Sequence, residues 1–303
     1  MAAAEVTLRA QRRRIGEDVV KGVLAVCALI SVATTVGIVV ALFVPAFEFF
    51  GEVSLADFFT GTEWAPLFEP ARFGVVPLIA GTLLVTAIAS VVAMPLGLGA
   101  AIYLSEYAGP RTRGMLKPAL ELLAGIPTIV FGYFALTFVT PLLRDLGIEV
   151  DIFNTRSAGL VLGVMLMPTV ASLSEDAMGA VPRDLRDGAY ALGSTKVQVA
   201  TRIVVPAAVS GIIASFVLAI SRAVGETMIV LIAMGQQPNL TFDPREAAET
   251  MTAFIAATGA GDVPTGSLEY KTIFAVGATL FVLTLVMNVF AIRLVRRYRE
   301  VYE

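Results

Sequence analysis

Residues 183–208 read Arg183-Asp-Leu-Arg-Asp-Gly-Ala-Tyr-Ala-Leu-Gly-Ser-Thr-Lys-Val-Gln-Val-Ala-Thr-Arg-Ile-Val-Val-Pro-Ala-Ala208, a polar, basic island between two long apolar blocks. Asp187, Ala189, Ala191 and Leu192 suit a short helix, and Gly193 suits its end, because glycine takes the left-handed conformation without a Cβ penalty. Ser194 or Thr195 can cap a second helix through Val197, Val199, Ala200 and Ile203, and Pro206 returns the chain to the apolar phase. The spacing predicts a helix-turn-helix lying across a membrane surface, a docking element for a soluble partner.

The rest of the chain supplies the membrane. Its 303 residues are 57% hydrophobic and 16% charged, with mean hydropathy +0.81, far too apolar for a soluble globular chain. Six charge-poor blocks can each cross a hydrocarbon core, which takes about 20 helical residues. They are Gly22 to Phe47, Phe73 to Leu104, Leu122 to Leu143, Ser157 to Ser174, Ile203 to Gly235 and Thr272 to Ile292. Arg12, Arg13 and Arg14 precede the first block as they would a signal peptide, but its apolar run is too long for one, so it is expected as a retained span.

Net charge is -3, and the distribution says more than the total. Lys and Arg gather in the N-terminal tail, at Arg111, Arg113 and Lys117, in the island, and in the tail from Arg293 to Arg299. The intervening loops hold only Arg72, Arg144, Arg156, Arg245 and Lys271. That asymmetry predicts a multi-pass protein of the cell (plasma or inner) membrane with both termini and the island in the cytoplasm. Its organisation is then a basic tail (1–21), a first span (22–47), a core of five further spans (73–292) carrying the loop 183–206, and a second tail (293–303). Cys27 is the single cysteine and histidine is absent, so a disulfide framework, a His-based triad and a His-ligated zinc site are excluded, and no metal site is expected.

Smaller features carry their own expectations. The aromatics between Glu48 and Arg72 suit an interfacial belt. Pro95-Leu-Gly97-Leu-Gly99 should loosen the second span, and Leu123-Ala-Gly-Ile-Pro127 repeats that punctuation; packing against a neighbouring helix explains both nearly as well. Gly159 and Gly163 form a small-xxx-small pair for close helix packing. Ser174-Glu-Asp-Ala177 is expected to leave the membrane, and Asp243-Pro-Arg-Glu246 to open a helix running to about Ala257.

Within the fifth block, Arg222 and Glu226 lie four apart in Ser221-Arg-Ala-Val-Gly-Glu-Thr227 and would share one face of a helix. Charges at such depth cost at least about 2.5 to 3.5 kcal/mol each on insertion scales and by default mark an aqueous path. An ion pair that only fixes packing is the plainer reading. An arginine fork can hold two oxygens of a tetrahedral oxyanion, and a carboxylate can accept the remaining O–H of hydrogen phosphate while repelling a full dianion such as sulfate. Arg222, Glu226 and Thr227 are therefore the candidate substrate path.

Asp187-Gly188-Ala189, three residues, Gly193, nine residues, then Ile203-Val-Val-Pro206 resembles the EAA loop of permease subunits in ABC importers, whose pattern is Glu-Ala-Ala, Gly, Ile-x-Leu-Pro at the same gaps. Asp187, Gly188 and Val205 depart from it; Gly188 costs the first helix roughly 1 kcal/mol relative to alanine. Gly81–Ala108, Leu123–Leu136, Ser174–Thr195 and Ser221–Gly235 are similar to the C-type subunit of the phosphate importers of the Pst system, with Ser221 where that family often has glycine. The resemblance implies an all-α integral membrane protein, six transmembrane helices in the ABC type I importer permease fold, with a cytoplasmic coupling-helix hairpin. It further implies a homologous A-type permease partner, two cytoplasmic ATPase subunits fitting Asp187, Gly188, Ala189, Leu192, Gly193, Ser194, Thr195, Ile203 and Pro206, and a phosphate-binding protein outside.

No cofactor is expected on this chain: it has no G-x-x-x-x-G-K-[ST] run, so ATP and magnesium would belong to the partner ATPase. A nucleic-acid partner is not expected. Other classes fit less well. The island alone does not exclude permeases for sulfate, molybdate or phosphonate; the Arg222–Glu226 run is what favours phosphate. An ATP-independent carrier would leave the hairpin without a purpose, and an intramembrane enzyme would lack a nucleophile with its base.

Overall fold

The computed structural model describes residues 15–297. The basic residues of 1–14 and Arg299, used above for topology, lie outside the described residues.

Helix α1 (Ile15–Glu52) opens the chain. It starts before and ends after the span read from the sequence, because Glu17, Asp18 and Lys21 do not interrupt it and Pro45 is accommodated inside it. At about 1.5 Å per residue it reaches about 57 Å, nearly twice the hydrocarbon thickness. Side chains 17–38 are all exposed, so among the described residues only its second half packs, with Phe43 edge-on to Phe281 at 5.8 Å.

Next come α2 (Leu55–Thr60) and a short antiparallel ladder of β1 (Trp64–Ala65) and β2 (Arg72–Phe73). Here the aromatic-belt expectation gives way. Phe49, Phe58 and Trp64 are buried in a cluster with Phe254, joined by edge-to-face contacts from 4.9 to 6.1 Å. The rings satisfy one another's hydrophobic demand in a folded cap; only neighbours such as Phe59 and Phe68 remain outside.

Helix α3 (Val76–Ile102) runs through Pro95 without a break and ends in a wide π-type turn, Tyr103–Tyr107. After α4 (Pro110–Ala124) the chain turns by 87° at Gly125–Pro127 into α5 (Thr128–Phe134), a π-type stretch Ala135–Val139 and α6 (Thr140–Asp145). The two glycine-proline signals therefore differ in outcome. Gly125-Ile-Pro127 ends a helix, whereas Gly97 sits where any Cβ would fall 2.6 Å from Val170 Cβ on the next long helix.

That helix, α7 (Thr155–Gly179), is capped by Asn154, whose side chain accepts from Ser157 N at 2.7 Å. Its Gly159 and Gly163 face Ile88 and Val92, at positions where a Cβ would lie 2.7 and 2.6 Å from side-chain carbons. The small-residue pair thus lets α3 and α7 approach closely, and their buried residues, with Phe131, Ala219, Ile229 and Ala253, form the main core. Hydroxyls inside α3 close their own account: Thr82, Thr86 and Ser90 each donate to a carbonyl four residues back at 2.7 Å.

The remaining elements are α8 (Arg183–Ala191), α9 (Lys196–Val199), a π-type turn Ala200–Val204, α10 (Val205–Ala207), α11 (Val209–Val224), α12 (Met228–Ala233), α13 (Met251–Ala260) and α14 (Leu268–Arg297). A 72° bend separates Lys196–Ala207 from α11. Four helices are long and apolar enough to cross a membrane unaided, and the two bent pairs raise the number to six among the described residues.

The helix expected from Asp243 does not form. Both carboxylate oxygens of Asp243 are taken by the Arg245 guanidinium at 2.6 to 3.0 Å, which holds its pKa down to about 2. The carbonyls of Pro244, Arg245 and Glu246 accept from Arg156, Asp151 and Thr155 N–H groups, cross-loop bonds that a helix would forfeit. Helix α13 instead begins at Thr250, whose hydroxyl accepts from Ala253 N. These bonds, the Trp64–Phe254 contact and the ion pairs of Lys271 with Glu48 and Glu52 gather the loops 48–75, 146–156 and 236–271 at one end of the bundle.

Candidate functional site

Two sites follow from the sequence, and the structure builds them differently. The first is the hairpin at the opposite end. Helix α8 ends in a Schellman closure: Gly193, at φ +83°, gives its N–H to Tyr190 O, and Ser194 gives its own to Ala189 O. Of the two candidate caps, Thr195 is the one used. Its hydroxyl accepts from Gln198 N while the Gln198 side chain accepts from Thr195 N, a complete capping box.

The hairpin has two faces. Ala189, Val199, Val204 and Ala208 are buried against Ala101, Met178, Val181 and Ile212, so its inner face rests on the ends of α3, α7 and α11. Outward stand Asp187, Gly188, Leu185, Tyr190, Val197 and Leu192, the last 89% exposed. An apolar outer face on a polar hairpin is a surface awaiting a protein. Ile203 is half-buried and Pro206 exposed, at the return into the bundle.

What fixes the hairpin is a residue the sequence offered only as a topology charge. Arg186 donates from Nη1 to Val181 O at 2.6 Å and from Nη2 to Met178 O at 2.7 Å; Nη2 and Nε reach Glu106 Oε1 at 3.1 and 3.4 Å. One guanidinium thus ties α8 to the last turn of α7 and to the end of α3. Lys196 adds its ammonium over the Tyr107 ring at 5.0 Å. Glu175, expected to leave the membrane, is instead fully buried within α7, which continues to Gly179. It is held by Arg113 and by Lys117, whose Nζ lies 2.9 Å from Glu175 and 3.0 Å from Asp176. Six charges adjoining span ends, Glu106, Arg113, Lys117, Glu175, Asp176 and Arg186, were the available signal; which of them meet depends on how α3, α4, α7 and α8 pack.

The second site is the break between α11 and α12. Helix α11 stops at Val224, with Gly225 as its cap, so Arg222 and Glu226 do not share a helical face as their spacing suggested. Glu226 folds back instead: Oε1 accepts from Met228 N at 3.1 Å and Ile229 N at 3.3 Å, caring for the free amides that open α12, while its carbonyl accepts from Thr252. Thr227 donates to Gly225 O within the break. Arg222 is exposed on the last turn of α11; Nη1 lies 3.4 Å from Thr169 Oγ1, and among the described residues no carboxylate lies within ion-pair range. A buried carboxylate committed to a helix terminus and, one turn away, an exposed guanidinium that meets one hydroxyl and no carboxylate among the described residues are what the geometry supplies.

Comparison with known proteins accords with this architecture. Residues 93–300 match the family described as "Binding-protein-dependent transport system inner membrane component". The chain is 34% identical over 276 residues to the probable ABC transporter permease protein YqgH of Bacillus subtilis, covering 90% of this chain and 89% of that one. It is 33% identical over 270 residues to the phosphate transport system permease protein PstC of Mesorhizobium japonicum, covering 82% and 80%. In fold it is similar to a chain of a bacterial alginate ABC transporter crystallised in complex with an alginate pentasaccharide-bound periplasmic protein, at TM-score 0.66 and 17% identity over 94% of this chain and 98% of that one.

Proposed function

The chain belongs to the family of inner membrane components of binding-protein-dependent transport systems, and from that premise we propose that it is the permease subunit of an ATP-driven importer of inorganic phosphate. Its relatives named as phosphate permeases support the substrate, and several cover most of both chains. It is a transport subunit, with ATP hydrolysis on separate chains.

The observation carrying the coupling role is the two-faced hairpin 183–206, clamped inward by Arg186 and apolar outward at Leu185, Tyr190, Leu192 and Val197. In this reading two ATPase subunits, holding ATP and magnesium, engage the paired hairpins of this chain and a homologous permease. A phosphate-binding protein delivers the anion at the other end, and both termini lie in the cytoplasm. ATP favours one global arrangement of the spans over the other through its differential contacts at the hairpin.

Arg222 is the anion ligand of the path. Its uncommitted fork suits two oxygens of phosphate, and Thr227 lies on the same break. Glu226 acts by shaping that break, with one carboxylate oxygen bound to two amides. The test is uptake of labelled phosphate into vesicles carrying the four-component assembly, with ATP inside and excess unlabelled sulfate outside. ATP-dependent uptake that sulfate leaves intact, lost in Arg222→Ala, is expected. Suppression by sulfate would move the substrate to another oxyanion; uptake without ATP would overturn the coupling role.

A further inference from the structure

At the end of the bundle opposite the hairpin, a cavity of about 800 Å³ opens between the Trp64–Ala71 segment, the 236–249 loop, α13 and the start of α14. Its lining includes aromatic rings, Trp64 set edge-on to Phe254 at 4.9 Å and the exposed Phe68. Its charged lining is acidic throughout: Glu69, Glu249, Asp262 and Glu269 contribute, and no lysine or arginine does.

Glu249 separates this cavity from an ordinary solvated surface. It is 5% exposed, yet no hydrogen bond or ion pair reaches its carboxylate among the described residues. Lys271 is engaged by Glu48 and Glu52, and Arg245 by Asp243. A carboxylate so deep is normally paired. No three carboxylates come close enough to chelate a metal ion among the described residues. An unpaired carboxylate in a cavity that also presents aromatic rings suits an organic cation, held by the charge of the one and the ring quadrupole of the other.

We infer that this cavity receives a lysine or arginine side chain of the extracytoplasmic binding protein, with Glu249 as its counter-ion. The assignment rests on the importer reading, which puts that partner at this end, and on charge complementarity. A cavity assembled from several segments is larger than one side chain needs, as a basic residue carried on a loop would require.

The experiment uses the four-component assembly in nanodiscs and measures the Kd of the binding protein, with co-elution of the ATPase subunits showing that each variant assembles. Glu249→Gln should weaken binding about thirtyfold or more, the scale for truncating one partner of a desolvated charge pair. One lysine or arginine of the binding protein, changed to glutamine, should weaken it comparably, and the double variant should be little worse than either single one. Should Glu249→Gln fail to assemble, competition on the unaltered complex decides: N-acetyl-arginine amide should displace the binding protein and its neutral analogue N-acetyl-citrulline amide should not. A Kd within about twofold of the original, coupling to a basic residue of the second permease, or equal competition by the two amides would overturn the inference. Failure of the importer reading looks different: the unaltered complex would take up no phosphate whatever its Kd.

Discussion

Replacing Arg186 by alanine tests how the hairpin is joined to the spans. The guanidinium satisfies Val181 O and Met178 O and pairs with Glu106, whose side chain is 5% exposed. Losing one partner of a buried pair costs about 3 to 5 kcal/mol, because the other charge stays buried and uncompensated. The two carbonyls add about 1 kcal/mol each where water cannot replace the donor. Arg186 is itself 16% exposed and water can enter the vacated space, so about 3 kcal/mol is the working figure. Glu106→Gln removes the orphaned charge, and the double variant should recover at least about 2 kcal/mol of that loss.

Hydrogen exchange at the amides of Leu192, Gly193 and Ser194, which close α8, reads this directly in the nanodisc-embedded complex. A local destabilisation of about 3 kcal/mol accelerates their exchange on the order of a hundredfold. In the same variant, ATP hydrolysed per phosphate transported should rise, since a loosened hairpin moves without carrying α3 and α7. Unchanged exchange at those amides, or strictly additive effects of Arg186→Ala and Glu106→Gln, would refute the clamp.

Two glycines in one hairpin should respond oppositely. Gly193→Ala, at φ +83°, should cost about 1 to 2 kcal/mol, whereas Gly188→Ala, in open space inside α8, should stabilise by about 0.5 to 1 kcal/mol; thermal unfolding of the assembly ranks them. Gly163→Ala would set a Cβ 2.6 Å from Val92 Cβ and 2.9 Å from Ala89 O, so overpacking of about 1 to 3 kcal/mol is expected, measured as a fall in assembled transporter after heating. Burial pushes the Glu249 carboxyl up to about 7 from 4.5. Folded and unfolded chains are both protonated well below 4.5, so the cost is absent there, grows as pH rises towards 7 and levels off at about 3 kcal/mol. Stability of the chain without its binding protein should therefore fall across that window, and Glu249→Gln should flatten this part of the profile; parallel curves for the two proteins would exclude it.

Much of this protein is legible along the chain because its strongest constraints are local. Twenty apolar residues cross a bilayer wherever they occur, and a glycine after a short amphipathic stretch ends a helix whatever surrounds it. The six-span pattern, the hairpin with its Gly193 turn, the Gly159–Gly163 contact and the absence of a P-loop could all be read from spacing. What could not be read depends on neighbours remote in sequence. Arg222 and Glu226 are four apart, but whether they share a face depends on whether the helix survives Gly225, and the amides opening α12 claim Glu226. Asp243 had every mark of a helix cap, and cross-loop bonds to residues 151–156 overrode it. Arg186 counted as one more positive charge until packing brought Glu106 and two carbonyls to it. Glu249, within the helix expected from Asp243, carried no signal of its own; it is buried where the segment before α13 packs on α3. Composition and period determine which segments enter the membrane and where they turn; the partner of each buried charge is decided only when helices far apart in the chain meet, because pairing depends on distance in space and the sequence records only distance along itself.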